Sequence, residues 1–174
     1  GELLTGVLYV DGEYFASTKT PIDFVWQPDR VERRAQYRGL ELSSVTIVPF
    51  KQMSVAVSLT IENKQRTRRP TEIKLALNGG VTKSVAPWNA AYSPGEFDNK
   101  RTLDASRGAV LCKSVRTEAY SLQGAWPVAT EVRPSWLIYR FDLAPGEKRS
   151  ITFVDALAES ADEAQRNYDK LVRD

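Results

Sequence analysis

The residues of this chain that could do acid–base or metal chemistry are carboxylates, because the sequence contains no histidine and one cysteine. Without histidine there is no Ser-His-Asp or Cys-His arrangement and no histidine-based metal site. Glu96, Asp98 and Asp104 share one irregular segment, where a glycosidase-type pair or a calcium site of Asp98, Asn99 and Asp104 is conceivable. No spacing there matches an EF-hand loop or a catalytic signature, so we interpret these acids as solvated. We predict no catalytic residue, no metal ligand and no cofactor.

The irregular segment Ala86–Arg107 has neither strand nor helix periodicity. Loops of this length in compact domains are usually functional or contact-making. Its aromatic residues are expected to pack against another surface, because exposed aromatic side chains are a liability. We therefore predict that the contacts to a substrate or partner come from Trp88, Tyr92, Phe97 and Asp98.

Four tryptophans could offer flat apolar surfaces for sugar rings: Trp26, Trp88, Trp126 and Trp136. Trp136 lies in a strand-like apolar run, which favours packing on a sheet. Trp26 and Trp88 lie in irregular stretches near prolines. Trp88 is the first candidate among the four for a ligand or partner contact.

Charge does not indicate a polyanionic partner, since the net charge is +2 with acids and bases interspersed. The basic cluster from Lys64 to Arg69 lacks interleaved aromatics. We interpret it as the solvated tip of a β-hairpin and predict no nucleic-acid binding. Cys112 lies in an apolar run, which is typical of a buried, unreactive thiol.

Strand patterns dominate the chain. From Met53 to Asn63 apolar and small or polar residues alternate, with Met53, Val55, Val57, Leu59 and Ile61 expected on one face. Further strands are predicted at 6–10, 40–48, 73–77, 109–115, 135–141 and 151–157. Many strands with no helix between them favour an all-β, antiparallel sandwich.

The turn signals agree with this sandwich. Asp11-Gly12 is typical of a two-residue hairpin turn. Asn78-Gly79-Gly80 separates two strand-like runs in the same way. Pro145-Gly146 predicts a tight turn before the last strand.

One helix is predicted, at the C-terminal end of the sequence. Ser160 and Glu163 form a capping box, in which the serine side chain accepts from the backbone N–H three residues later. An apolar stripe follows at helical spacing: Ala161, Ala164, Tyr168, Leu171 and Val172. We divide the chain into a β-sandwich domain, 1–159, and a connector helix, 160–174.

No apolar run is long enough to span a membrane, and no signal peptide is visible in the sequence. We therefore predict no membrane partner. The location is not fixed by the sequence, although the single cysteine and the lack of a visible signal favour the cytoplasm.

Several segments in this order resemble the N-terminal β-sandwich of glycoside hydrolases whose catalytic domain is an (α/α)6 barrel. They are Phe24-Val-Trp-Gln-Pro-Asp-Arg, Val45-Thr-Ile-Val-Pro, Val55-Ala-Val-Ser-Leu-Thr-Ile-Glu-Asn, Leu143-Ala-Pro-Gly-Glu and Ser160-Ala-Asp-Glu-Ala-Gln-Arg-Asn-Tyr. Among these enzymes the chain is similar to the glycogen-debranching, glucosidase-I-like and related bacterial α-glycosidase groups. The similarity covers most of the chain, but its motifs are strand patterns and a turn.

The resemblance implies a supersandwich-like accessory domain that packs against a barrel of the same polypeptide. In such enzymes the general acid and base lie in the barrel, so no catalytic residue is carried over to this chain. The segment 86–107 is then expected to help wall the sugar site. Tyr168 and Leu171 are expected to face the barrel, leaving an apolar patch around them or around 86–107 when the barrel is absent.

Three alternatives remain open. The chain could be a stand-alone carbohydrate-binding module, with oligosaccharide bound on exposed aromatics, or an interaction or adhesion sandwich unrelated to sugars. An autonomous enzyme ranks last. A homodimer formed through the apolar patch is also plausible.

Overall fold

The computed structural model describes residue 3, residues 7–77, residue 81 and residues 98–173. In these ranges the chain forms thirteen strands, one 3-10 helix and one α-helix. The strands are β1 (Val7–Val10), β2 (Glu13–Tyr14), β3 (Asp23–Trp26), β4 (Arg30–Tyr37), β5 (Leu40–Ile47), β6 (Ser54–Asn63), β7 (Arg69–Ala76), β8 (Asn99–Asp104), β9 (Ala109–Ser114), β10 (Tyr120–Trp126), β11 (Glu131–Arg133), β12 (Trp136–Leu143) and β13 (Lys148–Ala158). The 3-10 helix spans Phe15–Thr18, and the α-helix, α1, spans Ala161–Arg173.

The strands form two antiparallel sheets. The five-stranded sheet has the order β11-β12-β7-β1-β2, and the eight-stranded sheet has the order β3-β4-β5-β6-β13-β10-β9-β8. The sheets pack face to face, and α1 lies on the other side of the eight-stranded sheet, which we call its outer face. The predicted all-β antiparallel sandwich with a C-terminal helix is confirmed.

The main core lies between the sheets, and β6 shows how alternation builds it. Val57, Leu59 and Ile61 are buried there, as predicted. Met53 was expected to join them but is largely exposed. The prediction was wrong because the strand begins one residue later, at Ser54, and the buried alternation does not extend to Met53, although its carbonyl still accepts from the Leu157 N–H at 2.7 Å.

A second apolar cluster holds α1 against the outer face. Small residues dominate it, and with Tyr168 its buried members are Ala56, Ala109, Leu122, Val154, Ala156, Ala158 and Ala164. The helix begins as predicted, since the Glu163 backbone N–H donates to Ser160 Oγ at 3.3 Å. The division into 1–159 and 160–174 stays a prediction.

Two of the turn predictions are confirmed. Asp11 and Gly12 both have positive φ, 50° and 82°, and connect β1 to β2. At the second turn Gly146 has φ 73°, and the Glu147 N–H donates to the Ala144 carbonyl at 3.0 Å. The Asn78–Gly80 signal lies outside the described residues.

Most of the basic cluster is exposed, except Arg69, which is largely buried and pairs with Asp11, and the cluster is not a hairpin tip. β6 belongs to the eight-stranded sheet and β7 to the five-stranded sheet, so the segment from Lys64 to Arg69 crosses between sheets. The hairpin prediction was wrong because two neighbouring strand patterns in a sequence do not reveal whether the strands pair. Asn63, fully buried, sits at this crossing.

The predicted loop is wrong at its C-terminal end, because β8 occupies Asn99–Asp104 and pairs with β9. Residues 86–97 lie outside the described residues. Four further strands were not predicted: β3, β4, β10 and β11. No helix in the described part of the chain is long and apolar enough to cross a bilayer.

Candidate functional site

A groove runs along the outer face of the eight-stranded sheet, beside the last turns of α1. It encloses about 390 Å³, within the range of ligand and contact clefts. We call it the outer groove, and it is lined by Val45, Ile47, Ala56, Ser58, Trp126, Thr152, Leu171 and Val172.

Strand register explains why these residues meet. Ser58 of β6 lies between Val45 of β5 and Thr152 of β13. Thr152 in turn lies opposite Trp126, the last residue of β10. Because paired residues in an antiparallel sheet point to the same face, this row forms the floor and one wall. Leu171 of α1 completes the groove from above.

Trp126 is the most exposed aromatic of the outer groove, with 57% of its surface accessible. It also borders a second cavity on the other side of α1, of about 510 Å³. We call this cavity the helix-side hollow, and it is lined by Ser106, Arg107, Trp126, Val128, Tyr168, Asp169 and Val172. Trp126 and Val172 thus lie between an apolar groove and a partly charged hollow.

An ion-pair network forms the charged side of the hollow. Arg107 donates from Nε and Nη2 to the two carboxylate oxygens of Asp169, each at 2.8 Å, and from Nη1 to Asp104 Oδ2 at 2.9 Å. Its hydrogen bond to Asp169 raises the pKa of the Arg107 guanidinium. Burial raises the pKa of Asp104, but hydrogen bonds from Ser106 and Arg107 outweigh burial and lower that pKa overall. This network ties α1 to the turn between β8 and β9.

Tyr168 and Leu171, both predicted to face a partner, have different environments. Tyr168 is 3% exposed and packs over Gly124, so its ring contributes little to any exposed surface, and its inter-domain role stays a prediction. Its ring fills the space that the glycine leaves, and burial raises its pKa to about 12. Leu171 lines the outer groove, as a contact residue should, and its inter-domain role stays a prediction.

The loop candidates are only partly described. Trp88, Tyr92 and Phe97 lie outside the described residues. Asp98 is partly buried just before β8, with its Oδ1 3.8 Å from Arg116 Nη2, and its carbonyl accepts from the Val115 N–H at 2.9 Å. Its contact with a substrate stays a prediction.

The calcium hypothesis does not fit β8. Asp98 and Asp104 lie at opposite ends of this strand, and six residues of strand span roughly 20 Å. One ion cannot contact both carboxylates. In the described ranges no group of three or more histidine, cysteine or acidic residues could hold a metal.

A carboxylate that the sequence analysis did not single out lies on the inner face of the eight-stranded sheet. Burial raises the pKa of Asp155 to about 6, against a hydrogen bond at 2.6 Å that Ser121 Oγ donates to it. Gln123 Nε2 donates to the same Ser121 oxygen at 2.9 Å. The sequence could have indicated this buried carboxylate, because Asp155 is one acid among inward-facing apolar residues of β13, such as Phe153 and Leu157.

Two further acids share a small cavity. Glu118 and Glu159, both exposed, line a space of about 80 Å³ with Met53 and Leu157. This volume suits a few water molecules rather than a sugar ring. We assign it no binding role.

The chain matches no known family model and no curated protein. Among solved structures it is similar to a protein assigned as a kojibiose phosphorylase from the human microbiome, with TM-score 0.56 and 9% identity over 96% of this chain and 24% of that one. It is also similar to a protein assigned as an aldose 1-epimerase from Escherichia coli K12, with TM-score 0.52 and 10% identity over 79% and 68% of the two chains. The chain therefore spans about a quarter of the phosphorylase. At these identities the comparisons show a shared fold.

Proposed function

We propose that this chain is a non-catalytic accessory domain of a carbohydrate-active enzyme, and that its outer groove receives an (α/α)6-barrel catalytic domain of the same polypeptide. The observation that carries this proposal is the exposed apolar groove beside α1. The fold supports it, since the two similar proteins carry names of sugar-converting enzymes.

The groove suits a protein partner because most of its wall is apolar and open. Val45 and Ile47 come from β5, and Leu171 and Val172 come from α1. Contiguous exposed apolar surface of this kind commonly marks an interaction site. A partner seated here would contact sheet and helix together, which would fix its orientation.

The acids beside the helix-side hollow are engaged in structural bonds, which supports a non-catalytic role. Asp104 and Asp169 are both bound by Arg107. A glycosidase needs two carboxyl groups placed on either side of a sugar bond. In the proposed enzyme that pair lies in the barrel.

The test is association in solution with the helical domain that we expect the parent gene to encode, prepared as a separate polypeptide. Ile47→Asp and Leu171→Asp should each weaken binding by tenfold or more, because a charge would be buried in an apolar contact. Val48→Asp is the matched control, since Val48 is exposed and apolar but does not line the groove. Binding that is insensitive to both groove variants, or a parent gene without a helical domain, would contradict the proposal.

Catalysis provides a second check. The pure 174-residue chain should show no turnover of aryl glycosides and no phosphorolysis of glucose disaccharides. Turnover that survives repurification and follows the protein concentration would overturn the non-catalytic assignment.

A carbohydrate-binding module is the second candidate, and the helix-side hollow favours it. Trp126 presents an exposed indole beside the fixed charges of Arg107 and Asp169, an arrangement that can stack on a sugar and bond its hydroxyls. Calorimetric titration with oligosaccharides would detect it. Binding that is lost in Trp126→Ala but kept in Trp26→Ala would favour the module over the accessory domain.

A further inference from the structure

We propose that the outer edge of β3 pairs with β3 of a second copy of this chain, joining two eight-stranded sheets across a twofold axis. This surface is separate from the outer groove. The inference does not depend on the proposed function.

The comparison of sheet edges leads to β3. Natural sheets protect edge strands with charges, proline or short length, because unpaired backbone groups invite pairing with another chain. β2 has two residues, and β11 carries Glu131 and Arg133. β8 carries Lys100, Arg101 and Asp104. Three of the four edges in the described sheets are therefore protected.

β3 is also short, with four residues, but its exposed positions carry little charge. Its only charge is Asp23, at its first position, and the next three residues are apolar. Phe24, Val25 and Trp26 are 66%, 54% and 69% exposed. In the described part of the chain β3 pairs with β4 alone. A largely apolar edge with a single charge at its first position is suited to strand addition.

The hydrogen-bond alternation shows which backbone groups of β3 bond to no other strand among the described residues. Gln27 and Arg30 exchange backbone bonds, from N to O at 2.9 Å and back at 3.3 Å. Bonded and non-bonded pairs alternate along an antiparallel ladder, so Val25 is bonded to β4 whereas Phe24 and Trp26 are not. The N–H and C=O groups of Phe24 and Trp26 therefore point to the outer edge.

Because the backbone groups of Phe24 and Trp26 point outward, only one pairing register suits the two copies. A twofold at Val25 places Phe24 opposite Trp26 of the second copy, and the two equivalent pairs exchange four backbone hydrogen bonds. The same register brings the aromatic side chains together on one face, a favourable cross-strand pair. A twofold at Trp26 would instead place Phe24 opposite Pro28, which has no N–H to donate. A twofold at Phe24 would place Trp26 opposite Ile22, outside the strand.

The charges at the β3 edge are compatible with pairing to a second copy of the chain. In the Val25 register Asp23 lies opposite Gln27, so no like charges face each other. Four residues from each copy bury less than the roughly 1,200 Å² of stable interfaces, so the dimer should be weak and concentration-dependent.

The experiment measures molar mass by sedimentation across protein concentrations from about 10 μM to about 1 mM, where weak dimers form. The unmodified chain should pass from 19.5 kDa toward twice that mass. Val25→Lys and Val25→Glu should each weaken self-association about tenfold or more, because the twofold places each introduced charge opposite its own copy. Mixing the two variants should restore the dimer. Val48→Lys is the matched control and should dimerise like the unmodified chain.

Hydrogen exchange gives a second readout. The amides of Phe24 and Trp26 should exchange more slowly as the concentration rises. The Val25 amide, already bonded to β4, should change little. Thermal unfolding confirms that each variant remains folded.

Three results would overturn the proposal. The first is a mass of 19.5 kDa at every concentration. The second is a dimer that persists in Val25→Lys but is lost in Leu171→Lys, which would place the contact in the outer groove. The third is a failure of the mixed variants to associate, which would exclude the Val25 register.

Discussion

Replacing Asn63 tests the account of how the two sheets are joined. Asn63 Nδ2 donates to the carbonyls of Thr67, Leu143 and Ala144 at 2.8, 2.9 and 3.2 Å, and its Oδ1 accepts from the Gln65 N–H at 2.9 Å. These bonds connect two of the chain segments that cross between the sheets, the one from β6 to β7 and the one from β12 to β13. One side chain thus organises two crossings.

The expected loss of unfolding free energy follows from the number of these bonds. An amide nitrogen has two hydrogens, so we count two donated bonds and one accepted bond. At about 1 kcal/mol for each bond, Asn63→Ala should lose roughly 3 kcal/mol of unfolding free energy. For a domain of this size that corresponds to a fall in Tm of about 6–12 °C.

Asn63→Asp should be more destabilising than Asn63→Ala at pH 7, because it places a carboxylate against carbonyl oxygens. The fold then raises the pKa of the introduced carboxyl above its unfolded value, so lowering the pH through that raised pKa should recover part of the stability. Urea unfolding at pH 7 and pH 4.5, each referred to the unmodified chain, measures this difference. Asn167→Ala is the control, since its side chain makes a single long bond of 3.5 Å to the Leu157 carbonyl. Equal stabilities for the two Asn63 variants at pH 7 would refute the assignment of the donated bonds.

Three further predictions concern the outer face and the buried groups. Gly124→Ala would place a Cβ against Tyr168 Oη and 2.7 Å from Ala109 Cβ, so it should cost about 1–3 kcal/mol in urea unfolding. Its cost should be smaller when it is measured in a Tyr168→Ala background, because the clash with the ring is then absent. The pKa of Asp155 is raised to about 6, so the folded state is favoured when this carboxyl is protonated. The unfolding free energy of Asp155→Asn relative to the unmodified chain should therefore rise by about 2–3 kcal/mol between pH 4 and pH 8. A difference that stays constant with pH would contradict the raised pKa of Asp155. Cys112 is buried and its pKa is raised to about 11, so a thiol reagent should label it at the rate of unfolding, and rapid labelling of the native chain would contradict its burial.

Strand patterns predicted much of the sandwich because burial on one face imposes a period of two. Val57, Leu59 and Ile61 show that period in sequence and in structure. The pattern fails in the first half of β4, where Arg33 and Arg34 are adjacent, whereas Ala35 and Tyr37 in its second half are buried in the core. It fails in β10 for the opposite reason, because both faces are covered and Gln123 and Gly124 replace the expected apolar alternation.

The candidate site was predictable only in part. Leu171 could be found from the helical stripe, since an apolar residue near the end of an amphipathic helix often lies beside a contact surface. The opposite wall of the groove could not, because Val45 and Trp126 meet only through the pairing of β5, β6, β13 and β10. Local sequence carries no information about that strand order.

The small residues under α1 also limit how the helix can move. The helix axis lies close to the sheet because the residues beneath it are small: Ala56, Ala156 and Gly124. Arg107 binds the helix from one side through its ion pair with Asp169. A helix packed this closely on a sheet has little freedom to rotate or tilt. The orientation of any polypeptide joined to α1 would be set by how the helix packs on the sheet. A single methyl group added beneath the helix would then change the orientation of that polypeptide.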